Sequence, residues 1–223
     1  MRQVTRCLFT LLVLVLLGCK QTELQPTLPA VDEVPASEAD TSLVTHQPCA
    51  PPCWQGIRPG MPKAEAVRLL QNIPFVDPES LDEQSNELCW DRGCLIFDNA
   101  QVESLWYWLS YSLELQQMIE IYGEPDGYRY IPYVGEEEKG DIGLYWPQEG
   151  ISAVIPSIEL RGIHSKSPTS PEVMIISVRY FEPVADAESL FAGDEYPAKP
   201  DDMSVLEWIG YEKWEGYVPM SRP

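Results

Sequence analysis

Apolar residues first gather in one unbroken block, CLFTLLVLVLL from Cys7 to Leu17, behind Arg2 and Arg6. A bilayer-spanning helix needs about 20 apolar residues, so the block is too short to span and has the build of an export signal. From Gln21 to Gln47 small, acidic and proline residues follow with no apolar period, which predicts a tether. His46 falls inside it and reads as a tether residue rather than a ligand. Periodicity begins beyond Pro48. Ala66, Leu69, Leu70 and Ile73 recur at helical spacing between Pro62, whose missing N–H suits a first turn, and Pro74, which ends the run. SLELQQMIEIYGEPDG repeats the pattern: Ser112 is a natural N-cap, Leu115, Met118, Ile119 and Tyr122 form the face, and Gly123 with Pro125 stops it.

Short alternating segments follow each helix. The first set is ELCWDRGCLIF, a turn at Asp98-Asn99, and QVESLWYWL. The second is GYRYIPYV, DIGLYW, a turn over Pro147–Gly150, ISAVI, and a last strand from Val173 to Phe181. The predicted fold class is α+β, with helices packed on one face of an antiparallel sheet. Two readings of the likeness stay open: tandem α-β-β-β units over residues 53–109 and 110–183, or two unrelated segments of similar pattern. Between Pro156 and Pro171 a polar loop holds His164. The expected organisation is a signal peptide (1–18), a lipidated tether (19–47), a globular domain (48–185) and an acidic, aromatic C-terminal segment (186–223). That last segment, with Trp208, Tyr211, Trp214 and Tyr217, is expected to dock on its own domain.

Charge narrows the function. The chain has 223 residues, 35 acidic against 15 basic, and a formal charge of −20. Nucleic acid is met by basic patches, so it is excluded as a partner, and an electrostatic hold on an anionic membrane is disfavoured. The export signal ends in Leu16-Leu17-Gly18-Cys19, which resembles the bacterial lipobox. The resemblance implies cleavage after Gly18, a diacylglycerol thioether on Cys19 and a palmitate-type acyl chain on its amino group. The membrane would then be reached only through this N-terminal lipid. Lys20 stands where an inner-membrane retention aspartate would, which favours the outer membrane in a two-membrane envelope. The expected location is extracytoplasmic, lipid-anchored in the cell membrane or outer membrane.

Setting Cys7 and Cys19 aside, Cys49, Cys53, Cys89 and Cys94 remain. Four thiolates could hold zinc, but an exported chain with an even count points to disulfides. Trp90-Asp91-Arg92-Gly93 could turn a hairpin that joins Cys89 to Cys94, leaving Cys49 with Cys53. A crossed pairing, stapling the entry segment to the hairpin, is the rival. Acids abound, yet Glu136-Glu137-Glu138 and Asp201-Asp202 read as solvated loops. No calcium loop, P-loop, G-x-S-x-G, H-E-x-x-H or G-x-G-x-x-G occurs. Neither a metal nor a cofactor is expected, and the chain does not read as an enzyme.

In Leu105-Trp106-Tyr107-Trp108-Leu109, strand alternation puts Leu105, Tyr107 and Leu109 on one face and Trp106 and Trp108 on the other. Helices cover one face, so Trp106 and Trp108 are covered by the tail, by a partner, or stand open as a binding face.

The run Pro52-Cys53-Trp54-x-Gly56-Ile57-x-Pro59-Gly60-Met61 before a helix resembles a group of uncharacterised bacterial envelope lipoproteins. Gly60-Met61 opening a helix, and Tyr122-Gly123-Glu124-Pro125-Asp126 closing one, more distantly resemble BamE-like lipoproteins and the secreted β-lactamase-inhibitor proteins. Pro62 departs from their usual threonine or serine cap. The likeness implies a non-catalytic binding scaffold, and an aromatic sheet face is what a lipoprotein would use to bind an envelope protein or glycan. The alternative is an extracytoplasmic glycan or peptidoglycan hydrolase working through paired carboxylates.

Overall fold

Alternation of apolar and polar residues over 87–108 becomes the first half of a large antiparallel sheet in the computed structural model. The described residues are 42–133, 136–157, 159–160, 163–164, 166–168, 170–192, 200 and 202–217, all within one unit, Pro35–Pro223. Among them a helical turn, α1 (Ser42–Thr45), precedes α2 (Lys63–Leu70). Strands β1 (Asp82–Gln84), β2 (Glu87–Trp90), β3 (Gly93–Asp98) and β4 (Gln101–Trp108) follow. Helix α3 (Leu115–Tyr122) leads into β5 (Gly127–Tyr133), β6 (Glu136–Trp146) and β7 (Ile151–Pro156). A two-stranded hairpin, β8 (Glu159–Leu160) and β9 (Ile163–His164), separates these from β10 (Ser177–Phe181). The tail supplies α4 (Ala187–Phe191), α5 (Val205–Trp208) and β11 (Tyr211–Lys213).

Nine strands form the sheet in the order β1-β2-β3-β4-β10-β7-β6-β5-β11, each neighbouring pair antiparallel. Among the described residues the protein is therefore mostly sheet, with few and short helices. Outward from the β4–β10 junction each side runs as a meander, β4-β3-β2-β1 and β10-β7-β6-β5, and each is preceded by one helix. The β3–β4 turn is the tight one expected. Asn99 and Ala100 both adopt positive φ between the paired Asp98 and Gln101, so their twist matches that of the strands they join.

One face of the sheet carries the core. Register places Leu95 beside Leu105, Tyr107 beside Val178, and Ala153 beside Leu144. All six are buried with Ala66 and Leu70 of α2 and Leu115 and Met118 of α3. Trp54 is the hub of the first half: it is 0% exposed, stacks on Trp90 at 5.6 Å, lies 5.1 Å from Tyr107 and meets Phe75 edge-on. Gly93 is required beneath this stack, since a Cβ there would sit 2.5 Å from the Trp90 ring.

Several stretches differ from the sequence reading, among them the polar loop expected after Pro156, where β8 and β9 pair and His164 lies in a strand. Leu43, in the expected tether, is 2% exposed and joins the core, where the Tyr122 hydroxyl donates to its carbonyl. Ser112 is not the cap of α3. Glu114 is, through a reciprocal capping box with Gln117, and it starts the helix later. Glu136–Glu138 open strand β6 instead of a loop, and β10 begins only at Ser177.

Two half-buried phenols give the fold an alkaline limit. Burial raises the hydroxyls of Tyr122 and Tyr211 well above the ordinary 10.0, with the Glu149 charge adding at Tyr122 and Asp126 at Tyr211. A raised phenol stabilises the fold fully below its unfolded value, and that stability is lost as pH climbs above 10. The Tyr211 hydroxyl is buried with no hydrogen bond among the described residues. Tyr211→Phe is therefore expected to change stability by no more than about 1 kcal/mol at pH 8 and to flatten the loss above pH ~10, read by thermal unfolding across a pH series.

Candidate functional site

The opposite face of the sheet is not uniformly covered. By register it carries the Cys89–Cys94 pair, Trp106, Trp108, Arg179, Ser152, Tyr145 and Arg129. The tail occupies the half over β5 and β6. There Phe191 of α4 meets Tyr145 edge-on at 5.3 Å and Tyr211 at 6.1 Å, and the Arg129 guanidinium lies 5.3 Å from its ring. Asp186 caps α4 by accepting from the Ser189 N–H, and hydrogen bonds from the Ser189 hydroxyl first and that N–H second hold its carboxyl below the usual range. At the sheet edge β11 pairs with β5, and Trp214 enters the core against Tyr128.

The half around β4 and β10 is different. Trp108 is 46% exposed, Trp106 is half-buried, and the Arg179 guanidinium sits 5.4 Å from the Trp106 ring and 5.9 Å from Phe181. Trp106 and Trp108 do share a face, opposite the buried Leu105 and Tyr107. Sequence analysis does not single out Arg179, although its parity with Ser177 and Phe181 in the last strand places it on this face. The arrangement is an exposed Trp108 beside a half-buried Trp106 with a cation stacked on its ring, suited to contact, while their β10 neighbours Ser177 and Phe181 on the same face are buried.

Beside Trp106, Cys94 faces Cys89 directly across the hairpin with Cα atoms 4.0 Å apart and sulfurs bonded. Cys49 pairs with Cys53 at a Cα separation of 5.7 Å. The two local bridges are formed, and the crossed pattern is not. Asp91 in the same hairpin turn has its carboxyl held below the usual range, first by a hydrogen bond from Ser80. Among the described residues no group of three or more His, Cys, Asp or Glu side chains is placed to hold a metal, and no helix is long and apolar enough to cross a membrane.

The Pro52–Met61 motif divides its residues between two tasks. Trp54 and Ile57 close a tight hairpin by mutual backbone hydrogen bonds of 2.8 Å, over positive-φ Gln55 and Gly56, and point into the core. Pro52, Pro59 and Met61 instead line a cavity of about 610 Å³, with Arg58, Glu65 and Glu182 also on its wall. Sequence reading did not find this cavity, because Glu182 reaches it from the far end of β10.

Cys19, the signal peptide and the tether up to residue 41 lie outside the described residues, and so does the side chain of His164. His46 is exposed, with its ring 5.5 Å from that of Tyr122. No family model, curated protein or solved structure matches this chain.

Proposed function

We propose that this is a lipid-anchored protein of the cell envelope, tethered through Cys19 to the cell membrane or outer membrane, that acts as a non-catalytic binding or assembly module. Its contact face is Trp106 and Trp108, and its partner is an envelope protein or glycan. The observation that carries the reading is the exposure of Trp108 beside half-buried Trp106 on a strand whose opposite residues are fully buried. Large aromatics left at a surface in this way are typical anchors of interfaces. The finer architecture belongs to the same proposal. Helices α2 and α3 cover the core face, and the mirrored meanders descend from two tandem helix-and-sheet units.

One observation favours the hydrolase alternative, since Glu65 and Glu182 share a cavity. Both side chains are exposed, however, whereas a glycosidase acid needs a carboxyl withdrawn from water. Binding is the reading supported better.

A photocrosslinking amino acid at position 108, tested in envelopes, is expected to give a discrete adduct. The same group at exposed Glu79 should give none, and Cys19→Ala should release the chain from the detergent phase and abolish the adduct. Absence of an adduct from position 108, or equal labelling from both positions, would contradict the proposal.

A further inference from the structure

The cavity at the Pro52–Met61 motif is framed by three parts of the chain. The motif segment is pinned to β4, with the Gly60 N–H donating to the Val102 carbonyl and the Val102 N–H to that of Met61, both at 2.8 Å. Helix α2 contributes Glu65 from its first turn, and the exit of β10 contributes Glu182 and Pro183. The turn between β6 and β7 braces the frame from below. Gly150 has φ +66°, and a Cβ there would lie 2.8 Å from Pro52 and 3.1 Å from Pro183. Proline rings and close backbone contact leave this frame little freedom to collapse.

Its chemistry is selective. The lining has no aromatic ring and no hydroxyl or amide side chain, so a neutral sugar finds neither a stacking ring nor a neutral side chain to hydrogen-bond. It does have one cation and two carboxylates on apolar walls of proline and Met61. Among the described residues Arg58 forms no ion pair with either glutamate, although all three border one cavity. Opposite charges held apart around a common space can be bridged by a ligand that carries both signs.

We infer that this cavity binds a short zwitterionic peptide. The ligand's carboxylate meets Arg58, its ammonium meets Glu182 and Glu65, and its aliphatic body lies against Pro52, Pro59 and Met61. A volume of about 610 Å³ accommodates a few small residues. The site is separate from the Trp106/Trp108 face, and the inference does not rest on that reading.

Trialanine is the probe, titrated into the full chain in detergent micelles while the Met61 methyl resonance is followed. A saturable shift is expected. Acetylating the peptide's amino end or amidating its carboxyl end should weaken binding about tenfold each, as loss of a charge-assisted contact does. Arg58→Gln should weaken trialanine equally but leave the amide's affinity unchanged, because the amide has no carboxylate to lose. Glu182→Gln should show the converse, sensitive only to the amino end. Both side chains are exposed, so unchanged melting temperatures should show that the variants fold. No saturable shift with trialanine, or binding indifferent to end-blocking and to both substitutions, would overturn the assignment.

Discussion

Trp54→Ala should lose about 3–5 kcal/mol, the range for emptying a tryptophan-sized core site. Trp54 is wholly enclosed and touches the aromatic rings of three separate segments, Phe75 after α2, Trp90 on β2 and Tyr107 on β4. Its removal would leave these rings facing a void that neighbouring backbone cannot fill, because Trp90 already rests on Gly93 and Tyr107 is fixed in the sheet. Against a total stability of about 5–15 kcal/mol for a typical domain, such a loss is a large share. Urea unfolding of parent and variant measures it, with an unchanged slope showing that the same surface is exposed. A loss below about 1 kcal/mol would mean that the motif's tryptophan is not structural, and that its place at the centre of the first half is wrong.

What was legible in the sequence is what a local period can carry. Alternation over 101–109 separated Leu105 and Tyr107 from Trp106 and Trp108, because a strand with one buried face writes that face at every second residue. The helix faces at Ala66/Leu70 and Leu115/Met118 were legible for the same reason at a period of 3.6. For Cys89 and Cys94 the short turn between them made a local bridge one of two open readings, and the structure forms that bridge. Pairings between distant strands were not legible. Nothing local says that β10 inserts between β4 and β7, or that the tail adds β11 beside β5. Trp54 stands among prolines, cysteines and glycines with no period around it, so its burial was invisible. Leu43 was hidden too, as a four-residue helix is too short to show a face. At the start of α3 both Ser112 and Glu114 are acceptable by type, and only the Gln117 reciprocal bond decides between them.

The Trp106/Trp108 face has the other large consequence. Changing both residues to serine should weaken partner binding by about 2 kcal/mol or more, since exposed tryptophans that anchor an interface lose their whole contact area. The effect on folding should be much smaller. Trp108 leaves no cavity because water already reaches it, and Trp106 gives up partial packing and its contact with the Arg179 guanidinium, a contact of about 0.5–1 kcal/mol.

If these rings were instead core, each would contribute about 3–5 kcal/mol, as Trp54 is expected to do. Thermal unfolding of the Trp106→Ser/Trp108→Ser chain therefore tests the central claim before any partner is in hand. A cooperative transition lowered by less than about 10 °C is expected; a fall of about 20 °C or more, or loss of cooperative unfolding, would rule out a contact face and make those aromatics part of the core.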